Sequence, residues 1–232
     1  MKFETVISEL QKLSNPEKVA FKAKKFGIAT ENSLGIYHKD LKILAKSIGR
    51  DTELGIRLFE TGIYEARILC SKICNPKEIT VQLMDNWVSY FDTWEICDSF
   101  CMELFKFNDR AIEKAFEWSL CDEEFVKRAG LVVMAVYGFA DKKSENPVFE
   151  SFLPVLMREA KDDRVYVKKA VNWALRQIGK RNIDLKEVAI KTAIEIEKFE
   201  SKSAKWIAKD ALRELRGEKL NVLDYPRSIY RP

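Results

Sequence analysis

Histidine is nearly absent: His38 is the only one, set in the polar connection Tyr37-His38-Lys39-Asp40. That argues against a zinc site built on histidines and against a Ser-His-Asp relay, and His38 is assigned no role. The cysteines Cys70, Cys74, Cys97, Cys101 and Cys121 are odd in number and include no Cys-x-x-Cys pair. Spacings of four within apolar helical patterns mark buried, reduced thiols rather than a disulfide framework. No apolar run approaches the roughly 20 residues that cross a bilayer, the longest being Ala129 to Ala140. The N-terminus carries an acid at Glu4 and no apolar signal region, so a cytoplasmic location is expected. Glycine and proline are also sparse, at 9 and 6 residues, which leaves few breakers and suits a helix-rich chain.

What remains reads as helix after helix with no strand. Pro16 opens a helix that stops at Gly27, and others end at Gly49 and Gly62. Tyr64 to Cys74 is stopped by Pro76, and one helix is predicted over Pro147 to Ala160. Val126-Lys127-Arg128-Ala129 recurs as Val167-Lys168-Lys169-Ala170, 41 residues later, and Lys205-Trp206-Ile207-Ala208 is a weaker third copy. Apart from coincidence among Lys- and Ala-rich helices, a period near 40 in paired helices is the mark of an all-α, curved α-solenoid of HEAT-like antiparallel helix pairs. One repeat domain over residues 1–217 and an extended tail over 218–232 are expected.

Charge is unevenly spread. Residues 1–77 hold 14 Lys/Arg against 9 Asp/Glu, residues 78–124 hold 3 against 12, and residues 158–232 hold 19 against 12. Basic flanks suit a polyanion, and the acidic middle suits a cation or simply solvent. Within that middle lies Phe91-Asp92-Thr93-Trp94-Glu95-Ile96-Cys97-Asp98-Ser99-Phe100-Cys101. Asp92 and Glu95 read as a capping box, so a helix starts here with Trp94 and Asp98 one turn apart on one face. Taken alone, the pair reads first as a core indole beside a solvated acid, and second as a site. Further on, Lys169, Trp173, Arg176 and Lys180 line one face of a helix whose other face is apolar. An indole among cations fits a nucleic acid, or a packed Trp with snorkelling neighbours. Arg128, one period earlier, and Lys205 and Lys209 beyond would extend the basic row.

Taken together, Trp94-Glu95-Ile96-Cys97-Asp98-Ser99, Lys127-Arg128-Ala129 and Lys169-Ala170-Val171-Asn172-Trp173-Ala174-Leu175-Arg176 resemble the bacterial alkylpurine DNA glycosylases of the AlkD type. Asn15-Pro16-Glu17-Lys18 and Leu34-Gly35-Ile36 match that family's N-terminal pattern, and the resemblance runs from about residue 14 to 216. It implies removal of N3- and N7-alkylpurines from double-stranded DNA by a monomer with no metal or other cofactor. It further implies Asp98 as the catalytic carboxylate, Trp94 and Trp173 as aromatics against the lesion's deoxyribose, and Arg128 on a phosphate. Lys25-Phe26 stands where the family can carry a cleft tyrosine.

The chemistry agrees with that resemblance. Alkylation makes the purine cationic and a good leaving group, and its departure leaves oxocarbenium character that a fixed carboxylate stabilises. Trp94, Asp98, Arg128 and Trp173 are expected to converge on the concave side, with Lys169, Arg176, Lys205 and Lys209 along the backbone of the DNA. Two other readings use the same residues: a non-catalytic binder of damaged or branched DNA, and a helical scaffold that docks proteins on its acidic centre.

Overall fold

A computed structural model describes residues 1–28 and 32–226 of the chain, and no strand occurs among them. They form two compact units, residues 1–108 and the remainder from Asp109 onward.

The first unit contains α1 (Phe3–Lys12), α2 (Pro16–Phe26), α3 (His38–Ile48), α4 (Thr52–Glu60), α5 (Tyr64–Ile73), α6 (Val81–Ser89) and α7 (Trp94–Glu103). Short polar side chains set the starts: Asn15, Asp51, Thr80 and Thr93 each accept from the backbone N–H three residues on. Pro16 occupies the first turn of α2, and Gly27 ends it at φ 69°, in the left-handed region glycine enters without strain. α5 is the central helix, packed on α1, α3, α4 and α7 and buried along almost its whole length. Phe59, Trp87, Phe91, Phe100 and Phe105 form one block of touching rings beneath α7. Cys70, Cys74, Cys97 and Cys101 are buried, and Cys121, in the second unit, is half-buried.

Glu65 on α5 is fully buried. Its Oε1 accepts from the Gly35 N–H at 2.8 Å, the Ile36 N–H at 3.2 Å and Ser33 Oγ at 2.9 Å, while Oε2 accepts from the Leu34 N–H at 2.7 Å. One carboxylate thus satisfies the backbone of a loop that has no secondary structure of its own.

The second unit contains α8 (Ala111–Ser119), α9 (Glu124–Ala140), α10 (Asn146–Glu150), α11 (Leu153–Glu159), α12 (Val165–Gly179), α13 (Ile183–Glu197) and α14 (Lys202–Leu215). α9, α12 and α14 pack side by side as one row, and α8, α11 and α13 form a second row against it. The 41-residue period is therefore physical: Phe125 and Tyr166, one repeat apart, lie ring to ring at 5.4 Å. α9 and α12 approach closely at Gly138, where an added Cβ would lie 2.8 Å from Gln177 Cβ. The single helix predicted over 147–160 is instead two, interrupted at Ser151-Phe152, because Pro154 in the first turn of α11 has no N–H to continue the ladder.

Beyond α12, the buried Arg181 donates to the carbonyls of Tyr137 and Gly138 at 3.3 Å, of Ser144 at 3.1 Å, and of Asp141. It closes the C-terminal end of α9, where carbonyls lack helical partners, and stacks 3.6 Å over the Phe149 ring. Burial lowers its pKa to about 10, with Asp141 and Tyr225 opposing. The tail expected over 218–232 is described as far as Pro226 and carries no helix. There the Leu223 and Tyr225 N–H groups donate to the carbonyls of Lys180 and Arg181, each at 2.7 Å. The rest of that segment lies outside the described residues.

Replacing Glu65 by Gln leaves one acceptor oxygen, and turns the two amide hydrogens toward either the Leu34 N–H or the three donors on Oε1. Urea unfolding is expected to show a loss of about 2–4 kcal/mol, and a loss under 0.5 kcal/mol would mean that the loop is held by other means.

Candidate functional site

The helix carrying Trp94 and Asp98 starts one residue later than the sequence pattern suggests. Thr93, not Asp92, is the cap, its Oγ1 accepting from the Ile96 N–H at 3.4 Å. With Thr93 as the cap, Glu95 is the second helical residue and not the third, so it does not stand at the capping-box position. Glu95 turns inward, buried, where its Oε2 lies 2.9 Å from Lys22 Nζ and accepts from the Tyr64 hydroxyl at 2.5 Å. Its Oε1 lies 2.9 Å from His38 Nε2, so the histidine given no role is one of its partners. Burial pushes the Glu95 carboxyl up, but bonds from His38, Tyr64 and Lys22 outweigh it and hold its pKa at about 2. Tyr64 is driven the other way, well above its ordinary value, by burial and the Glu95 charge.

This cluster fixes α2, α3 and α5 against the start of α7, and that fixes the indole of Trp94. Trp94 Nε1 donates to the Phe26 carbonyl at 3.1 Å, at the last turn of α2, and its ring meets Phe26 edge-on at 6.4 Å. Phe21 packs edge-on against Phe26 at 5.9 Å, and Lys25 Nζ lies over both rings. Phe21 and Phe26 are exposed, at 45% and 43%. Trp94 and Asp98, one turn apart, are both half-buried and remain accessible. Phe26 thus supplies an aromatic where the resembled family can carry tyrosine, but no hydroxyl.

Trp173 is half-buried on α12 and stacks on Phe139 of α9 at 6.2 Å with the rings 23° from parallel. Its Nε1 lies 3.1 Å from the Gln177 amide oxygen that accepts from it. The basic row divides in two. Lys169, Lys205 and Lys209 are exposed. Arg128, by contrast, is buried, with Nη1 donating to the Tyr166 carbonyl at 2.6 Å. Arg176 is bonded to Glu214 and lies 3.8 Å from Asp210, and Lys180 Nζ is 2.8 Å from Glu214. A sequence pattern places these cations on one helix face but does not reveal that acids from α14 meet two of them. Among the described residues no group of three or more His, Cys, Asp or Glu side chains is arranged to hold a metal ion. No described helix is long and apolar enough to cross a membrane.

Since the Glu95 pKa is depressed on folding, its stabilisation is complete above the unfolded carboxyl value and disappears as pH falls toward about 2. Thermal unfolding of wild type and Glu95→Gln should therefore differ most at pH 7, differ less as pH falls below the unfolded carboxyl value, and converge only at about pH 2. A gap that stays constant with pH would contradict this linkage.

A family model described as DNA alkylation repair enzyme matches residues 6–215. Among solved structures, the chain is similar to a protein of a family related to the HEAT-like repeat DNA glycosylases, with affinity for branched DNA structures. That likeness has 24% identity and a TM-score of 0.72, covering 92% of this chain and 95% of the other. Weaker likenesses extend to an engineered protein (14% identity, 77% and 91% covered, TM-score 0.39) and a designed armadillo repeat protein (13%, 76% and 92%, TM-score 0.36). No curated protein matches. The fold is the all-α HEAT-like one, and with nearly its whole length matched the chain belongs to the DNA alkylation repair enzyme family.

Proposed function

We propose that this protein is a DNA glycosylase that hydrolyses the N-glycosidic bond of cationic N3- and N7-alkylpurines in duplex DNA. The observation that carries the reading is the α7 face, with Asp98 half-buried one turn from an indole pinned to the Phe26 carbonyl. As the C1′–N bond breaks, its electron pair neutralises the purine, and positive charge grows on the deoxyribose. The Asp98 carboxylate stabilises that charge and orients the water that adds to C1′, whose proton passes to solvent. Trp94 offers an indole face to the sugar, worth roughly 0.5–2 kcal/mol, and Trp173, on α12 of the second unit, is a further indole for the DNA to meet. The protein acts as a monomer within the cell's cytoplasm, and the chemistry calls for no cofactor.

Lys169, Lys205 and Lys209 are the phosphate contacts in this reading. Arg128 and Arg176 would have to leave the Tyr166 carbonyl and Glu214 to reach a phosphate, so they contribute less. The second reading is a binder without catalysis, favoured by the branched-DNA affinity of the structurally similar protein. In that case Asp98 has no reaction to serve.

Two outcomes are expected. Asp98→Asn keeps the shape and removes the charge, so base release from methylated duplex should slow about 100- to 1000-fold, with duplex affinity unchanged or slightly higher. Release at the wild-type rate would remove Asp98 from the catalytic role. Each of Lys169→Ala, Lys205→Ala and Lys209→Ala should reduce the slope of log affinity against log salt by about 0.9. An unaltered slope in all three variants would mean that the duplex is held elsewhere.

A further inference from the structure

Trp206 takes no part in the reaction proposed above, yet it is 41% exposed on α14. An indole is a costly residue to leave in water unless something covers it. Its own helix surrounds it with cations: Lys202 and Lys209 lie one turn before and after it, and Lys205 precedes it, all exposed. From α12, Lys168 Nζ sits 5.5 Å from the ring centroid. The acid one turn on, Asp210, is already bonded to Arg213 and close to Arg176. A second pair of the same kind stands at the turn leading into α14, where Lys161 Nζ lies 4.5 Å over the half-buried Phe199 ring. An aromatic face rimmed by ammonium groups, with the nearby acid neutralised, is matched by a ligand that is anionic along its length and flat at intervals.

We propose that Trp206 is a stacking platform for an unpaired nucleobase, with Lys168, Lys202, Lys205 and Lys209 around it taking the adjoining phosphates. The proposal rests on the reading of DNA as the partner and adds, beside the duplex-contacting Lys205 and Lys209, a place for single-stranded DNA as it leaves the duplex. In a duplex both faces of each base are already stacked on neighbours, so only an unpaired base has a face to give. Lys168 is a weak incumbent. A half-buried cation over an indole contributes a factor of a few in equilibrium terms, whereas a base stacked on an aromatic side chain contributes roughly 5- to 100-fold. The base therefore displaces the ammonium from the ring, and the ammonium moves to the phosphate of the same or the adjoining nucleotide. A protein partner fits less well, because the helix positions flanking Trp206 are charged rather than apolar.

The test compares three labelled oligonucleotides by fluorescence anisotropy at one salt concentration: a blunt duplex, the same duplex with a five-nucleotide single-stranded extension, and that extension made abasic. The full chain is used as wild type, Trp206→Phe and Trp206→Leu, each checked for folding by thermal melting. Wild type should favour the extended duplex over the blunt one. Trp206→Leu should lose roughly 5- to 100-fold on the extended duplex and under two-fold on the blunt one, and Trp206→Phe should keep most of the preference. The abasic extension, with the same charge and no bases, should bind wild type no better than Trp206→Leu binds the intact extension. Equal losses of Trp206→Leu on extended and blunt duplex, or wild-type preference for the abasic extension, would overturn the proposal. So would binding by wild type that ignores the extension, which leaves the duplex reading standing. Absence of binding to all three would overturn the duplex reading with it.

Discussion

The accessible face of α7 depends on one buried carboxylate. Glu95 joins Lys22 of α2, His38 of α3 and Tyr64 of α5 at the first turn of the helix that presents Trp94 and Asp98. Lys22 is the one fully buried residue of α2. A charge pair taken out of water is thus one of the contacts that hold that helix in place. Such pairs add little to stability over an apolar substitute, but removing one partner leaves the other charge stranded, at a typical cost of about 3–5 kcal/mol. The same pair decides where the Phe26 carbonyl stands, and that carbonyl fixes the Trp94 indole. Electrostatics in the interior thus become geometry at the surface.

The second unit uses long cations in the same way. Arg181 gathers the carbonyls that end α9, and Arg128 reaches the Tyr166 carbonyl at the start of α12. Guanidinium groups suit this because several donors in one plane can meet several carbonyls at once. The result is a row of helices locked at their ends by buried cations, with lysines left outside to meet solvent or a polyanion.

How much of this was legible in the sequence follows from what periodicity encodes. Apolar spacing located nearly every helix, and the 41-residue recurrence of Val-Lys-(Lys/Arg)-Ala anticipated that α9 and α12 are neighbours. Periodicity reports the face from which a side chain leaves its helix, not where a long one ends. Arg128 and Lys169 occupy matching places in the repeat, yet the first is buried and the second exposed. The spacing of Glu95 from Asp92 fits a capping box, while its actual partners come from 73, 57 and 31 residues earlier in the chain. One signal was present: Lys22 sits three residues after Val19 and four before Phe26, a cation on the stripe by which α2 would otherwise be expected to pack. The division of 147–160 into two helices was also written in the chain, in Pro154.

The central claim is that the α7 face does chemistry on an alkylated nucleotide. It is tested most directly by a single-turnover reaction of the wild-type protein, in excess, with duplex DNA carrying one 7-methylguanine, run in water enriched in oxygen-18. The account predicts free 7-methylguanine, an uncleaved strand with an abasic site, and the heavy oxygen on C1′ of that sugar. Duplex that is bound but recovered with its 7-methylguanine intact, beyond spontaneous loss, would contradict it and leave a DNA-binding protein without a glycosylase reaction.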